Sequence, residues 1–184
     1  MCIRDRAYVL HPLCFVFGVA GTIASLIYRK RATCVMQGMV AGCAPVLIGY
    51  VAIAERLDPT ILFMCLLIAA WIPLHVWSVM VARREEYERA GIAYFPLTLE
   101  DERARRLLFW LALALYAASL ALWHVADFGW FFLTVAAIMG LVMVWAAGRL
   151  VRRRGSQDSW RVYKLSSFPY LGLIFLAMCL DLWV

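Results

Sequence analysis

Charge is scarce in this chain of 184 residues: only 16% are Asp, Glu, Lys or Arg, while 65% are hydrophobic. A soluble domain is about half apolar and a quarter charged, so a water-soluble globule is excluded. Disorder is excluded by the same imbalance, because apolar side chains need burial in protein or lipid. No two of the six cysteines (Cys2, Cys14, Cys34, Cys43, Cys65, Cys179) are spaced as CxxC, and all but Cys2 lie in or beside apolar runs. They form neither a zinc motif nor a disulfide framework and read as small buried hydrophobes. There is no low-complexity linker and no internal repeat of useful strength.

The apolar residues gather in long runs. Between charge clusters they cover 8–28, 34–54, 60–82, 107–124, 130–148 and 168–184. A helix rising 1.5 Å per residue needs about 20 residues to cross the roughly 30 Å hydrocarbon core, and the last run sits at the short limit. Lipid offers no partner to bare backbone, so each span must be helical. The expected fold is an all-α polytopic membrane bundle in one domain.

Charge then sets orientation. Fifteen of the 18 basic residues fall on the first, third and fifth connections, including Arg29, Lys30 and Arg31 on the first. Those connections share a side, which the positive-inside rule makes cytoplasmic, with Val184 outside. A net charge of +6 is therefore a topological signal. Nucleic-acid binding is excluded, because the aromatics lie inside the apolar runs rather than on a solvated basic face. The opening MCIRDR does not read as a signal peptide, and the first six residues are expected not to be a native amino terminus.

Chemistry concentrates in the third span and the loop after it. Trp71 and His75 are four apart on one helical face. Pro73 removes a helical donor and is expected to kink the helix. His75 lies seven residues before Ala82, about 10 Å below the helix end. An ionisable group at that depth is a functional candidate, against the plainer reading of a neutral histidine bonded to a neighbouring helix. Arg83–Arg89 is expected to continue the helix of span three, and Glu100–Arg106 to open the next one with acids at its positive end. Such a long loop is commonly functional. Basic clusters over an aromatic-lined helix suit an amphiphile with a phosphate head: arginine and lysine grip phosphate, and Glu86 offers a carboxylate for magnesium. Aromatic walls stabilise a carbocation if the phosphate leaves. The competing reading is that the basic loops only orient the protein.

Four patterns in register resemble the carboxy-terminal part of the UbiA-type intramembrane prenyltransferases, most closely the protoheme IX farnesyltransferase (heme O synthase) branch. A K-R-x-T stretch is matched by Lys30, Arg31 and Thr33, and A-G-x-x-P-x-L-I-G by Ala41, Gly42, Pro45, Leu47, Ile48 and Gly49. W-x-x-P-H-F-W is matched at Trp71, His75 and Trp77, and the following loop at Arg84, Tyr87, Ala90, Gly91, Ile92 and Pro96. The resemblance implies a nine-helix bundle of which this chain holds six helices. It implies transfer of farnesyl from farnesyl diphosphate to a vinyl carbon of heme B, with water adding a hydroxyl, to give heme O. Lys30, Arg31 and Arg84 would contact diphosphate, His75 would act at the reacting centre, and Trp71, Trp77 and Tyr87 would bind substrate. Glu86 would take a magnesium role.

The departures are specific. Leu74 precedes the histidine where the family has proline, Val76 replaces the following phenylalanine, and Ala93–Tyr94 replaces Pro-Met. The asparagine expected after K-R-x-T is missing, and Gln37 is the nearest amide. The family's N-x-x-x-D-x-x-x-D motif is not in the chain. The main Mg2+ site is thus expected in a missing amino-terminal part, and the 184 residues alone are expected to be inactive. A quinone-ring or lipid acceptor is the alternative within the family, and a non-catalytic membrane subunit the alternative outside it. The first would carry a second D-x-x-x-D, which is absent; a transporter, the other reading outside the family, would spread polar residues over several spans, and their scarcity counts against a conduction path while leaving a structural subunit open. The expected setting is a prokaryotic plasma membrane.

Overall fold

The computed structural model describes residues 12–26, 34–92, 94–153 and 155–181. The regular elements among the described residues are all helices: α1 (Pro12–Leu26), α2 (Cys34–Ala54), α3 (Pro59–Ala82), α4 (Arg84–Arg89), α5 (Asp101–Val125), α6 (Trp130–Arg153), α7 (Ser156–Ser166) and α8 (Phe168–Asp181). Five stretches are long and apolar enough to cross a membrane, α7 and α8 together making the fifth, while the described part of α1 is shorter. Their outward faces are as apolar as their inward ones: Trp110 and Trp145 are 66% and 65% exposed, and Leu62 66%. Water would penalise such a surface, and lipid matches it. The protein is an integral multi-pass membrane protein.

α3 is the hub, packing against α2, α5 and α7, while α6 covers α5, α7 and α8. Its start is fixed locally. Pro59 stands at the first turn, where its missing N–H costs nothing, and the Asp58 carboxylate accepts from the Ile61 N–H at 3.3 Å. Tyr50 on α2 donates its hydroxyl to the same carboxylate, so one aspartate both caps α3 and ties it to α2. Small residues then set the helix spacing. A Cβ on Gly140 of α6 would lie 2.0 Å from the Tyr116 ring of α5, so only glycine admits this approach. Between α1 and α2 the same is true at Gly21, where a Cβ would meet that of Ala44 at 2.6 Å. Deep in the bundle, the fully buried Tyr170 donates to Ser119 Oγ at 3.3 Å, linking α8 to α5.

α5 begins at Asp101 with Asp101 and Glu102 in its first turn, as expected for a helix opened by Glu100–Arg106 ahead of the apolar span at Leu107. Other expected boundaries move: α6 runs to Arg153 rather than Gly148, because hydrophobicity limits the span and not the helix. α3 ends at Ala82, and a separate short helix follows Arg83, whose backbone (φ −112°, ψ 29°) leaves the helical region. α3 is a single helix through Pro73. The largest correction concerns the fifth connection. Its residues 156–166 form α7, which packs along α3 and runs into α8 across a break at Ser167. Charge at Asp158, Arg161 and Lys164 hides this helix from a hydropathy reading, although Ser159, Val162 and Ser166 are buried, and Asp158, buried beside them, is paired with Arg149 at 3.0 Å and Arg161 at 3.1 Å.

One more acid receives a structural role. Asp181, at the end of α8, accepts from the backbone N–H groups of Gly129 and of Phe132 (3.2 Å), so it caps the first turn of α6 from across the bundle.

Candidate active site

The seam between α3 and α7 brings four aromatic rings into one row. Trp71 and His75, one turn apart on α3, stack with centroids 5.0 Å apart and planes within 16°. Tyr163 of α7 stacks on His75 at 4.7 Å and 28°, and Trp160 follows at 4.9 Å and 30°. Cations close the far end of the row: the Arg83 guanidinium lies 5.1 Å from the Trp160 ring centroid and the Lys164 ammonium 5.9 Å.

Hydrogen bonds hold the rings in place. Trp71 Nε1–H donates to the Ser166 carbonyl, and His75 Nδ1 lies 3.1 Å from Ser166 Oγ. One turn away, Ser159 Oγ donates to the Ser78 carbonyl at 2.9 Å, while Ser78 Oγ donates to that of His75 at 2.8 Å. Ser166 and Ser159 supply polar partners where the membrane offers none. Beside the row, a groove of about 400 Å³ is lined by Trp71, His75, Phe168, Leu171, Gly172 and Phe175, with Ser167 at its edge.

Sequence reasoning missed Trp160, Tyr163 and Ser166, which lay on an expected loop. The signal was present in their spacing of three, which gives one stripe on a helix.

A second cavity, of about 390 Å³, sits at the arginine-rich end of α3, where Arg83, Arg84, Glu86, Arg89, Asp101 and Arg105 meet the start of α7. Its arginines are already engaged. Arg84 pairs with Asp101 through Nε at 3.1 Å and donates from Nη2 to the Leu99 carbonyl at 2.9 Å. Arg105 pairs with the other oxygen of Asp101 at 3.0 Å. Arg89 pairs with Glu85 at 3.0 Å and Arg83 with Glu86 at 3.5 Å. Arg84 and Glu86 therefore share one cavity, but Arg84 clamps α4 to the start of α5.

The remaining candidates separate. Tyr87 is half-buried against the core, and its carbonyl accepts from the Ile92 N–H at 2.9 Å across the turn at Gly91, whose φ is +70°. Trp77 points away from His75: two residues along a helix is more than half a revolution. It is 6% exposed and meets the Phe95 ring edge-on at 4.8 Å and 75°. Lys30 and Arg31 lie outside the described residues.

The described residues do not fit a magnesium site. Among them no three His, Cys, Asp or Glu side chains converge, and the Glu86 carboxylate faces Arg83.

Comparison with known proteins now has a geometry to refer to. The UbiA prenyltransferase family matches residues 3–168. Among curated relatives, the protoheme IX farnesyltransferase of Desulforudis audaxviator is 29% identical, over 97% of this chain and 58% of its own length. That of Hahella chejuensis is 32% identical over 99% of this chain and 70% of its own length. That of Symbiobacterium thermophilum is 37% identical over 84% and 53%. The chain thus spans little more than half the length of most of these relatives. A solved structure described as digeranylgeranylglyceryl phosphate synthase in membranes superposes with a TM-score of 0.79 over 97% of this chain and 64% of that one, at 12% identity. At that identity the likeness speaks for the fold alone. With the family pattern running from the first described helix to the start of the last, the chain belongs to the UbiA prenyltransferase family.

Proposed function

We propose that the full-length gene product transfers a farnesyl group from farnesyl diphosphate to a vinyl carbon of heme B, giving heme O. The observation that carries this reading is the Trp71–His75–Tyr163–Trp160 row running from a membrane-depth groove to an arginine-lined mouth. The names of the relatives support the choice of heme as acceptor.

The chemistry divides between the two ends. The bond from farnesyl C1 to oxygen breaks, and diphosphate leaves with the electron pair. C1 bonds to the terminal vinyl carbon of the acceptor, and water captures the cation left on the inner carbon, losing a proton. Aromatic faces stabilise cationic charge in a site that excludes bulk water. Arginines neutralise the leaving anion. In this proposal Arg83, stacked on Trp160, is the described cation nearest the row; Lys30 and Arg31 of the first connection, which lie outside the described residues, are assigned to the diphosphate as well. Arg84 holds the loop that carries Arg83. No step is assigned to a metal held by the described residues.

The proposed orientation places the Arg83–Arg106 loop in the cytoplasm of a prokaryotic cell, following the concentration of basic residues on alternate connections. Expression of the full-length gene in a host without its own heme O synthase tests the function. Extracted membranes are expected to contain heme O by chromatography and mass spectrometry. Membranes that hold the protein but only heme B overturn the reading.

A further inference from the structure

The hydrogen bonds around His75 fix which of its nitrogens carries the proton. Ser166 Oγ lies 2.9 Å from the Tyr163 carbonyl and 3.1 Å from His75 Nδ1. A carbonyl only accepts, so the hydroxyl proton lies on the line to Tyr163; without it, lone pairs would face each other at that distance. Ser166 Oγ then has only lone pairs to offer His75. Nδ1 must carry hydrogen and donate, which leaves Nε2 of the neutral ring with its lone pair free.

The surroundings decide what that lone pair can meet. Trp71 and Tyr163 stack on the imidazole, so its faces are taken and its edge remains. Among the described residues no donor bonds to Nε2. His75 lines the apolar groove between Trp71 and the Phe168–Phe175 turns of α8. A histidine that lines an apolar groove, held by a hydroxyl–carbonyl relay at Nδ1 and left without a donor at Nε2, has the arrangement of a metal-ligating histidine. Such ligands characteristically donate their second N–H to an oxygen, which fixes the tautomer and raises basicity.

We infer that His75 is an axial ligand of the porphyrin substrate, its Nε2 forming a dative bond to the iron, with Ser166 as the positioning residue behind it. This inference rests on the heme-acceptor reading above. It assigns the groove along α8 to the macrocycle. Nothing is oxidised and no proton is released, because the tautomer already leaves Nε2 bare.

The test is a titration of the purified full-length protein in lipid nanodiscs with ferric heme B and, separately, with metal-free protoporphyrin IX. The wild type is expected to give the optical and electron paramagnetic resonance signature of nitrogen-ligated ferric heme. His75→Ala is expected to lose that signature and to bind ferric heme at least about tenfold more weakly, with added imidazole restoring the spectrum. Ser166→Ala keeps the ligand but loses its orientation, and is expected to weaken heme binding about tenfold. Binding of metal-free protoporphyrin is expected to be the same in all three, which also reports that the variants are folded. Identical ferric spectra and affinities in wild type and His75→Ala overturn the axial bond while heme O formation by the same preparation leaves the function standing. Failure of the wild type to bind heme or to form heme O overturns both.

Discussion

The Trp71 indole N–H donates to the backbone carbonyl of Ser166, 95 residues further along the chain, and His75 is stacked one turn from that contact. This bond pins α3 to the end of α7, where α7 gives way to α8. Replacing Trp71 with phenylalanine keeps an aromatic ring and removes the donor. One lost hydrogen bond costs roughly 1 kcal/mol, so Trp71→Phe is expected to lower the unfolding temperature in detergent by a few degrees. Trp71→Ala, which also removes the stacking partner of His75, is expected to lower it further. Equal melting of wild type and Trp71→Phe would show that the bond contributes nothing.

Arg84 and Asp101 are expected to act as one unit. The guanidinium pairs with Asp101 and donates to the Leu99 carbonyl, joining α4 to α5 around the loop. Arg84→Ala and Asp101→Asn should each destabilise the protein by about 1–2 kcal/mol, and the double variant by less than the sum. A double-mutant cycle on thermal stability measures this. Additive losses, together with a KM for farnesyl diphosphate raised by Arg84→Ala alone, would return Arg84 to the substrate.

Glu86 is exposed and faces Arg83, with no second carboxylate converging on it among the described residues. In the full-length enzyme, Glu86→Gln is expected to leave the magnesium concentration giving half-maximal rate unchanged. A several-fold increase in that concentration would make Glu86 a metal ligand.

Asp58 gives the fold an acid sensitivity. The hydrogen bond from Tyr50 is the main cause holding its carboxyl below the ordinary 3.8, helped by the Ile61 N–H and Arg56. A depressed carboxylate contributes stability that is fully present above its unfolded value and lost as pH falls through its folded value. Wild type should therefore be more stable than Tyr50→Phe at pH 6, and the difference should shrink below pH 3.8. A difference that is constant with pH would assign Tyr50 to packing alone.

Helices, and the face shared by Trp71 and His75, were legible in the sequence because both depend on local information. Apolar runs mark lipid-spanning segments, and α2 occupies the expected 34–54. A spacing of four fixes a shared face wherever the helix lies. Partners from α7 were not legible. Tyr163 reaches His75 only because a helix bearing Asp158, Arg161 and Lys164 still packs its inner side on α3, and hydropathy averages those charges together with that side. Likewise the arginine count of the loop gave no sign that Asp101 would engage both Arg84 and Arg105. Trp77 was grouped with Trp71 and His75 by motif, although two residues of helix turn it toward Phe95.

The most direct test of the account is an acceptor competition with the purified full-length enzyme. Isotope-labelled farnesyl diphosphate is supplied with equal concentrations of heme B and a quinone-ring acid, and the labelled products are separated by mass. The account predicts label in a hydroxyethylfarnesyl heme and none in the ring acid. Label in the ring acid, with heme B untouched, would contradict it.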